Sequence, residues 1–128
     1  MIVDSSALVA IILAEPEADG FAHEILIDDM PMMSAASYVE CAMVLDGQAP
    51  NGRDDRLDAT ITYLGIGIVA LTEQQARLAR RAFEMFGKGH HPAALNFGDC
   101  MTYALAKESG QRLLYKGNDF IKTDLGDT

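Results

Sequence analysis

Four acidic residues, Asp4, Glu40, Asp99 and Asp119, stand where a folded chain could bring them together. Asp4 follows Met1-Ile2-Val3 and Asp119 follows Leu113-Leu114-Tyr115, so both lie just beyond short β-like runs. In an open parallel sheet, ligands gather beyond the carboxyl ends of the strands, where strand order reverses. If those two strands are neighbours there, both carboxylates project into one crevice. Either residue taken singly is equally well accounted for as a helix cap. Glu40 has Ala36, Met43 and Val44 at i−4, i+3 and i+4, which sets a carboxylate inside an apolar stripe where an unpaired charge is costly. The competing reading is a Glu at the edge of that stripe, reaching water. Asp99 falls in the first turn of a helix, after Asn96 and Gly98, where the helix dipole favours an anion whether or not a ligand is present. Its i+3 and i+4 neighbours, Thr102 and Tyr103, are semi-polar and do not mark a plain core face.

The four together imply more than each alone. Carboxylates drawn within about 4–5 Å repel by roughly 3–4 kcal/mol per pair at an effective dielectric near 20. Such a cluster persists only around a cation or with some members protonated. All-oxygen ligands select hard ions, so Mg²⁺ or Mn²⁺ is expected. A hard dication in an open carboxylate site acidifies water, orients it, and neutralises charge in phosphodiester hydrolysis. Nuclease chemistry is therefore the expectation.

The elements that must position these acids read as alternating strands and helices. Residues 1–4 form a strand, and Ser5 or Ser6 caps a helix through Leu8, Val9, Ile12 and Leu13. Pro16 interrupts it, and a second helical stretch covers 18–26. A turn at Asp28, Asp29 and Pro31 leads to a weak strand over 32–34, then a helix over 35–45 and a loop over 47–52. Asp54 and Asp55 open a helix that runs to about residue 64, and 66–71 is β-like. Thr72 caps a strong helix over 73–86. An exposed basic loop over 87–92, a helix over 98–108, a strand over 111–115 and a turn over 117–119 complete the chain. This alternation implies an α/β sandwich with a mostly parallel sheet covered on both faces, expected as a single domain over 1–128.

Bulk properties narrow the setting. At 128 residues and 49% hydrophobic content, the chain is large enough to bury a core and too apolar for disorder. The apolar run 7–14 is too short to cross a bilayer. No Lys or Arg precedes Arg53, so a secretory leader is not expected and a cytoplasmic location without membrane association is. Cys41 and Cys100 lack zinc or disulfide spacing, and each follows a candidate acid, so the thiols are expected to face the core. The net charge of −9 is adverse for nonspecific phosphate binding. It implies few phosphate contacts, reliance on a bound cation, and a basic partner protein.

Four segments carry a resemblance: Ile2-Val3-Asp4-Ser5-Ser6-Ala7-Leu8, Ser37-Tyr38-Val39-Glu40, Leu95-Asn96-Phe97-Gly98-Asp99-Cys100, and Leu113-Leu114-Tyr115-Lys116-Gly117-Asn118-Asp119-Phe120. In this order and spacing they resemble the PIN-domain family, specifically the VapC-type ribonuclease toxins of bacterial toxin–antitoxin pairs. The resemblance implies a three-layer α/β/α sandwich and metal-dependent endoribonuclease activity. It maps Asp4, Glu40 and Asp99 onto the family's acidic triad and Asp119 onto its fourth acidic position. Ser6 matches a hydroxyl residue that helps arrange the site, and Asp124 is a candidate accessory acid. It further implies a homodimer neutralised by a cognate antitoxin. Residues 48–71 match poorly, and nothing functional carries over there.

Arg77, Arg80 and Arg81 share one helix face, with Lys88, His90 and His91 beyond, and form the chain's one basic cluster. They are candidate RNA contacts, against an ordinary solvated helix face. Adjacent His90 and His91 are poorly spaced for a metal, Lys116 is undecided between phosphate contact and surface, and the methionines at 30, 32, 33, 43 and 85 read as core or dimer-face fillers. Two other classes compete. A receiver-like phospho-acceptor wants adjacent acids after its first strand and an acid after a middle strand. Here Ser5 follows Asp4, and Leu71 ends the middle run. A HAD-type phosphatase wants DxD, which Asp4-Ser5-Ser6 is not. A noncatalytic PIN-like module would have lost part of an acidic set that is present in full.

Overall fold

Ile2–Val3 (β1), Met32–Ser34 (β2), Gly67–Val69 (β3) and Leu113–Leu114 (β4) are the strands of a computed structural model that describes residues 1–126. Its helices are Ser5–Ile12 (α1), Ala18–Ile27 (α2), Ala35–Gln48 (α3), Leu57–Leu64 (α4), Glu73–Phe86 (α5) and Phe97–Ser109 (α6). Every strand pair is parallel, in the order β3-β2-β1-β4. Ile2 stands opposite Met32 on one side and Leu113 on the other. The chain builds outward from β1 to β3, then crosses back to lay β4 on the free side of β1. The order therefore reverses between β1 and β4, the juncture expected for a ligand site.

Side chains alternate across a strand, and this divides the apolar residues into two cores. Val3 and Leu114 point to one face, where Leu8 and Ile12 of α1, Ile25 of α2, Cys41 and Leu45 of α3, and Leu57, Ile61 and Leu64 of α4 pack. Ile2 and Leu113 point to the other, against Ala79 and Ala82 of α5, Tyr103, Ala104 and Leu105 of α6, and Phe120. A parallel sheet covered on both faces is the three-layer α/β/α arrangement.

Local sequence explains where most of the helices start. Thr72 caps α5 by accepting from Gln75 N, and Ser34 caps α3 by accepting from Ala36 N. Asn96 and Asp99 form a reciprocal capping box on α6. Two expectations change. Asp4, not Ser5 or Ser6, caps α1, its carboxylate accepting from Ser6 N. The helix expected from Asp54 begins only at Leu57; the Asp54 carboxylate accepts from Arg56 N at 2.9 Å and from the Arg56 guanidinium at 2.6 Å, a local turn ahead of the helix. Both cysteines are buried, as expected. Of the methionines, Met33 is core, whereas Met30, Met43 and Met85 are exposed. Among the described residues no helix is long and apolar enough to cross a membrane.

Candidate metal centre at the ends of β1 and β4

Asp4 follows β1 directly, and its backbone N–H donates to Leu114 O of β4 at 2.9 Å, which fixes it at the strand-order reversal. Only 3% exposed, its carboxylate is surrounded by donors. Oδ2 accepts from Ser6 N at 3.1 Å and from Ser6 Oγ at 2.6 Å. Oδ1 accepts from Thr102 Oγ1 of α6 at 2.6 Å. The Ser6 hydroxyl also accepts from Lys116 N at 2.9 Å, so one side chain ties the residue after β1 to the loop after β4.

Glu40 projects from α3 toward the same place. Its Oε1 accepts from Ser5 Oγ, and a Cβ added at Gly98 would collide with its carboxylate. The α6 amino terminus thus approaches Glu40 closely because residue 98 has no side chain. Burial pushes the Glu40 carboxyl above its ordinary range, the Ser5 hydroxyl opposes this, and negative Asp4 adds to it. The reason inferred for its burial does not hold: Met43 and Val44, the supposed apolar stripe, are 70% and 38% exposed. The core face of α3 is Ser37, Cys41 and Leu45, and Glu40 is half-buried because it lies against Ser5 and Gly98.

Asp99 sits at the third position of α6, 7% exposed. Its Oδ2 accepts from Asn96 N at 3.0 Å. Burial raises this carboxyl to about 7. The Asn96 hydrogen bond opposes the rise, while the charges of Asp4, Asp119 and Glu40 add to it. Asp99 is therefore the residue on which the other three acids all act. Asp119 lies exposed on the loop after β4. Thr102 and Tyr103, expected on a face that is not plainly core, are in fact buried, and Thr102 bonds Asp4.

The acids are mutually felt but not closed into a ready ligand set. Among the described residues no three His, Cys, Asp or Glu side chains are spaced to hold one ion as they stand. Each buried carboxylate has instead taken a neighbouring donor: Ser6 and Thr102 for Asp4, Ser5 for Glu40, Asn96 for Asp99. The donors are all oxygen and the local charge is negative, a chemistry that fits a hard dication.

The PIN-domain family model matches residues 1–125. The chain belongs to the PIN-domain family. Among VapC-type members, it is 45% identical over 127 residues to Ribonuclease VapC30 of Mycobacterium tuberculosis, covering 98% of this chain and 95% of that protein. Ribonuclease VapC28 of the same organism is 48% identical over 124 residues, covering 96% and 93%. The crystal structure of VapC20 of Mycobacterium tuberculosis, a sarcin–ricin loop cleaving toxin, superposes with a TM-score of 0.76 over 99% of this chain and 97% of that one. At 14% identity, that likeness speaks for the fold alone.

Outside the acidic centre of this PIN domain, the other candidates are placed as follows. The Tyr103 hydroxyl donates to Asp124 Oδ1 at 2.8 Å, and the Lys107 ammonium bonds Oδ2 at the same distance. Burial works against the Asp124 charge, but these two bonds outweigh it and hold the carboxyl below its ordinary value. Asp124 is not among the charges acting on Asp99. Arg77 and Arg80 pair with Glu73 and Glu84 along α5, and these four with Arg81 line a groove to which none of Asp4, Glu40, Asp99 and Asp119 contributes. Lys88 follows α5, its N–H bonded to Leu95 O just before α6. The Lys116 ammonium is clamped by Glu15 at 3.1 Å and Glu17 at 3.5 Å. His90 and His91 pack edge-on against Phe83 and Phe86. Sequence reading passed over Ser37, Gly98 and Thr102 as parts of the site. The available signal was a hydroxyl three residues from each helical acid, Ser37 before Glu40 and Thr102 after Asp99.

Proposed function

We propose that this chain is a divalent-cation-dependent endoribonuclease, the toxin of a toxin–antitoxin pair. The observation that carries the reading is the meeting of Asp4, Glu40, Asp119 and Asp99 in one electrostatic neighbourhood at the sheet's carboxyl edge, in a PIN domain whose relatives are named ribonucleases. Asp4, Glu40, Asp99 and Asp119 would hold Mg²⁺ or Mn²⁺. When bound, the ion supplies Lewis acidity toward water and neutralises charge on the scissile phosphate. The chain's own residues do the positioning. Ser6 and Thr102 hold the Asp4 carboxylate in a fixed orientation, Ser5 holds Glu40, and the α6 capping box holds Asp99. At neutral pH without a cation, the Asp99 carboxyl retains a proton part of the time, which relieves the crowding of negative charge.

A cognate antitoxin and a second copy of the chain belong to the same proposal, as does action in the cytoplasm. Exposed Val39 and Met43 on α3, with Leu26 and Ile27 at the end of α2 and Met30 in the turn beyond it, offer apolar surface for protein partners to cover. The charge of −9 suits a basic antitoxin. Purified protein is expected to cleave RNA with Mg²⁺ or Mn²⁺ and to stop on addition of EDTA. Asp4→Asn is expected to lower cleavage by about 100-fold or more with its circular dichroism and melting unchanged in kind. Cleavage that survives EDTA, or an Asp4→Asn chain as active as the native one, overturns the proposal.

A further inference from the structure

Thr102 is fully buried on α6, and its hydroxyl lies 2.6 Å from Asp4 Oδ1 and 3.1 Å from Ser37 Oγ, itself fully buried on α3. A hydroxyl has one proton to give. The short bond to a carboxylate takes the Thr102 proton, so Ser37 must be the donor in the second bond. The result is a directed chain, from Ser37 Oγ–H to Thr102 Oγ1 and from Thr102 Oγ1–H to Asp4 Oδ1. Its members stand in register with the acids. Ser37 precedes Glu40 by three residues on α3, and Thr102 follows Asp99 by three on α6, so each hydroxyl shares a helix face with the acid beside it. The two helices that bring Glu40 and Asp99 thus both reach Asp4 through one pair of hydroxyls. A carboxylate offers about four lone-pair positions. Ser6 takes two on Oδ2 and Thr102 takes one on Oδ1, which leaves Oδ1 the oxygen with a position to spare.

We infer that the Ser37–Thr102 hydroxyl chain is a positioning device for Asp4, holding its Oδ1 in register with Glu40 and Asp99 for a divalent cation. Neither residue touches the cation; Thr102 acts through Asp4, and Ser37 acts through Thr102. The inference rests on the cation-dependent reading proposed above, and its test separates the two.

Binding of Mn²⁺ alone to the full chain is measured by titration calorimetry, with kcat and KM for RNA cleavage measured alongside. Thr102→Val keeps the volume and removes the hydroxyl, and it is expected to weaken Mn²⁺ binding about 10-fold or more and to lower kcat while KM for RNA holds. Thr102→Ser restores both. Ser37→Ala weakens Mn²⁺ binding in the otherwise native chain and adds nothing in the Thr102→Val background, because its only route to Asp4 is already cut. A merely structural pair would lower the melting temperature of every variant without this order of dependence. Should Thr102→Val not fold, Thr102→Ala carries the same arms. Mn²⁺ affinity in the Thr102 variant equal to that of the native chain, or a Ser37→Ala effect that adds in full, overturns the inference. A native chain that neither binds Mn²⁺ nor cleaves RNA overturns the proposed function instead.

Discussion

Asp99 shows how a single residue can record its whole surroundings. Its carboxyl is pushed up to about 7 first by burial and then by three other carboxylates, against one opposing backbone hydrogen bond. The consequence for stability has a definite sign. Between the ordinary carboxylate range and about 7, the folded chain holds a proton that the unfolded chain has lost, so folding is favoured at lower pH and that contribution disappears as pH rises through 7. The metal-free protein is therefore expected to melt at a higher temperature at pH 6 than at pH 8. Asp99→Asn retains an acceptor for Asn96 N and removes the charge, so it is expected to raise the pH 8 melting temperature and flatten the dependence. Thermal melts in EDTA across that range check this, and a native chain whose stability climbs from pH 6 to 8 contradicts it. The thiols beside the acids are a quieter record. Burial, helped by Asp4 and Glu40, pushes Cys41 up to about 12, so it stays a protonated core residue.

At the scale of elements, the start of α6 decides how close two acids come. Asn96 and Asp99 bind each other's backbone N–H, which pins the first turn, and Gly98 lets that turn press against Glu40. Gly98→Ala places a methyl where the Glu40 carboxylate lies, and the atoms that must yield belong to the mobile end of a long side chain. Replacing glycine within a helix gains up to about 1 kcal/mol in propensity, so little net loss of stability is expected. Displacement of Glu40 is expected to weaken Mn²⁺ binding about 10-fold and cleavage with it. Chemical denaturation and calorimetry on the same variant separate the two effects. A stable variant with native Mn²⁺ affinity would show that the approach of α6 to Glu40 has no part in the site. The amino end of α1 follows similar economy: Asp4 caps the helix and faces the acidic cluster at once, so the two explanations weighed for it are compatible.

For the whole molecule, the proposed function raises the question of how a chain of net charge −9 would hold RNA. On α5, Arg77 and Arg80 are drawn into i,i+4 pairs with Glu73 and Glu84, while among the described residues no ion pair is found for Arg81 or Lys88. If Arg81 and Lys88 make the phosphate contacts, the affinity for single-stranded RNA should fall with salt on a log–log slope of about −1.4, at roughly −0.7 per neutralised phosphate. Arg81→Ala should weaken binding and flatten that slope by about 0.7 while leaving Mn²⁺ affinity native. Fluorescence anisotropy across a salt series in the catalytically silent Asp4→Asn background measures both. A slope unchanged by the substitution would assign RNA binding to another face.

How much of this was legible beforehand differs by level. The alternation of elements and the cap at Thr72 followed from local pattern, because period, caps and turn residues are properties of short segments; that the first and last strands are neighbours stood only as a condition, and the pairing of Ile2 with Leu113 met it. The four acids stood out because their residue type and spacing are written in the chain itself. Their environment was not. Sequence placed Glu40 in an apolar stripe, yet Met43 and Val44 face outward and Ser5 and Gly98 do the burying. It read Thr102 as a semi-polar residue on a face not plainly core, yet that side chain is the buried donor to Asp4, 98 residues away along the chain. Helical periodicity reports which residues share a face, and only the packing of one element on another decides what that face meets.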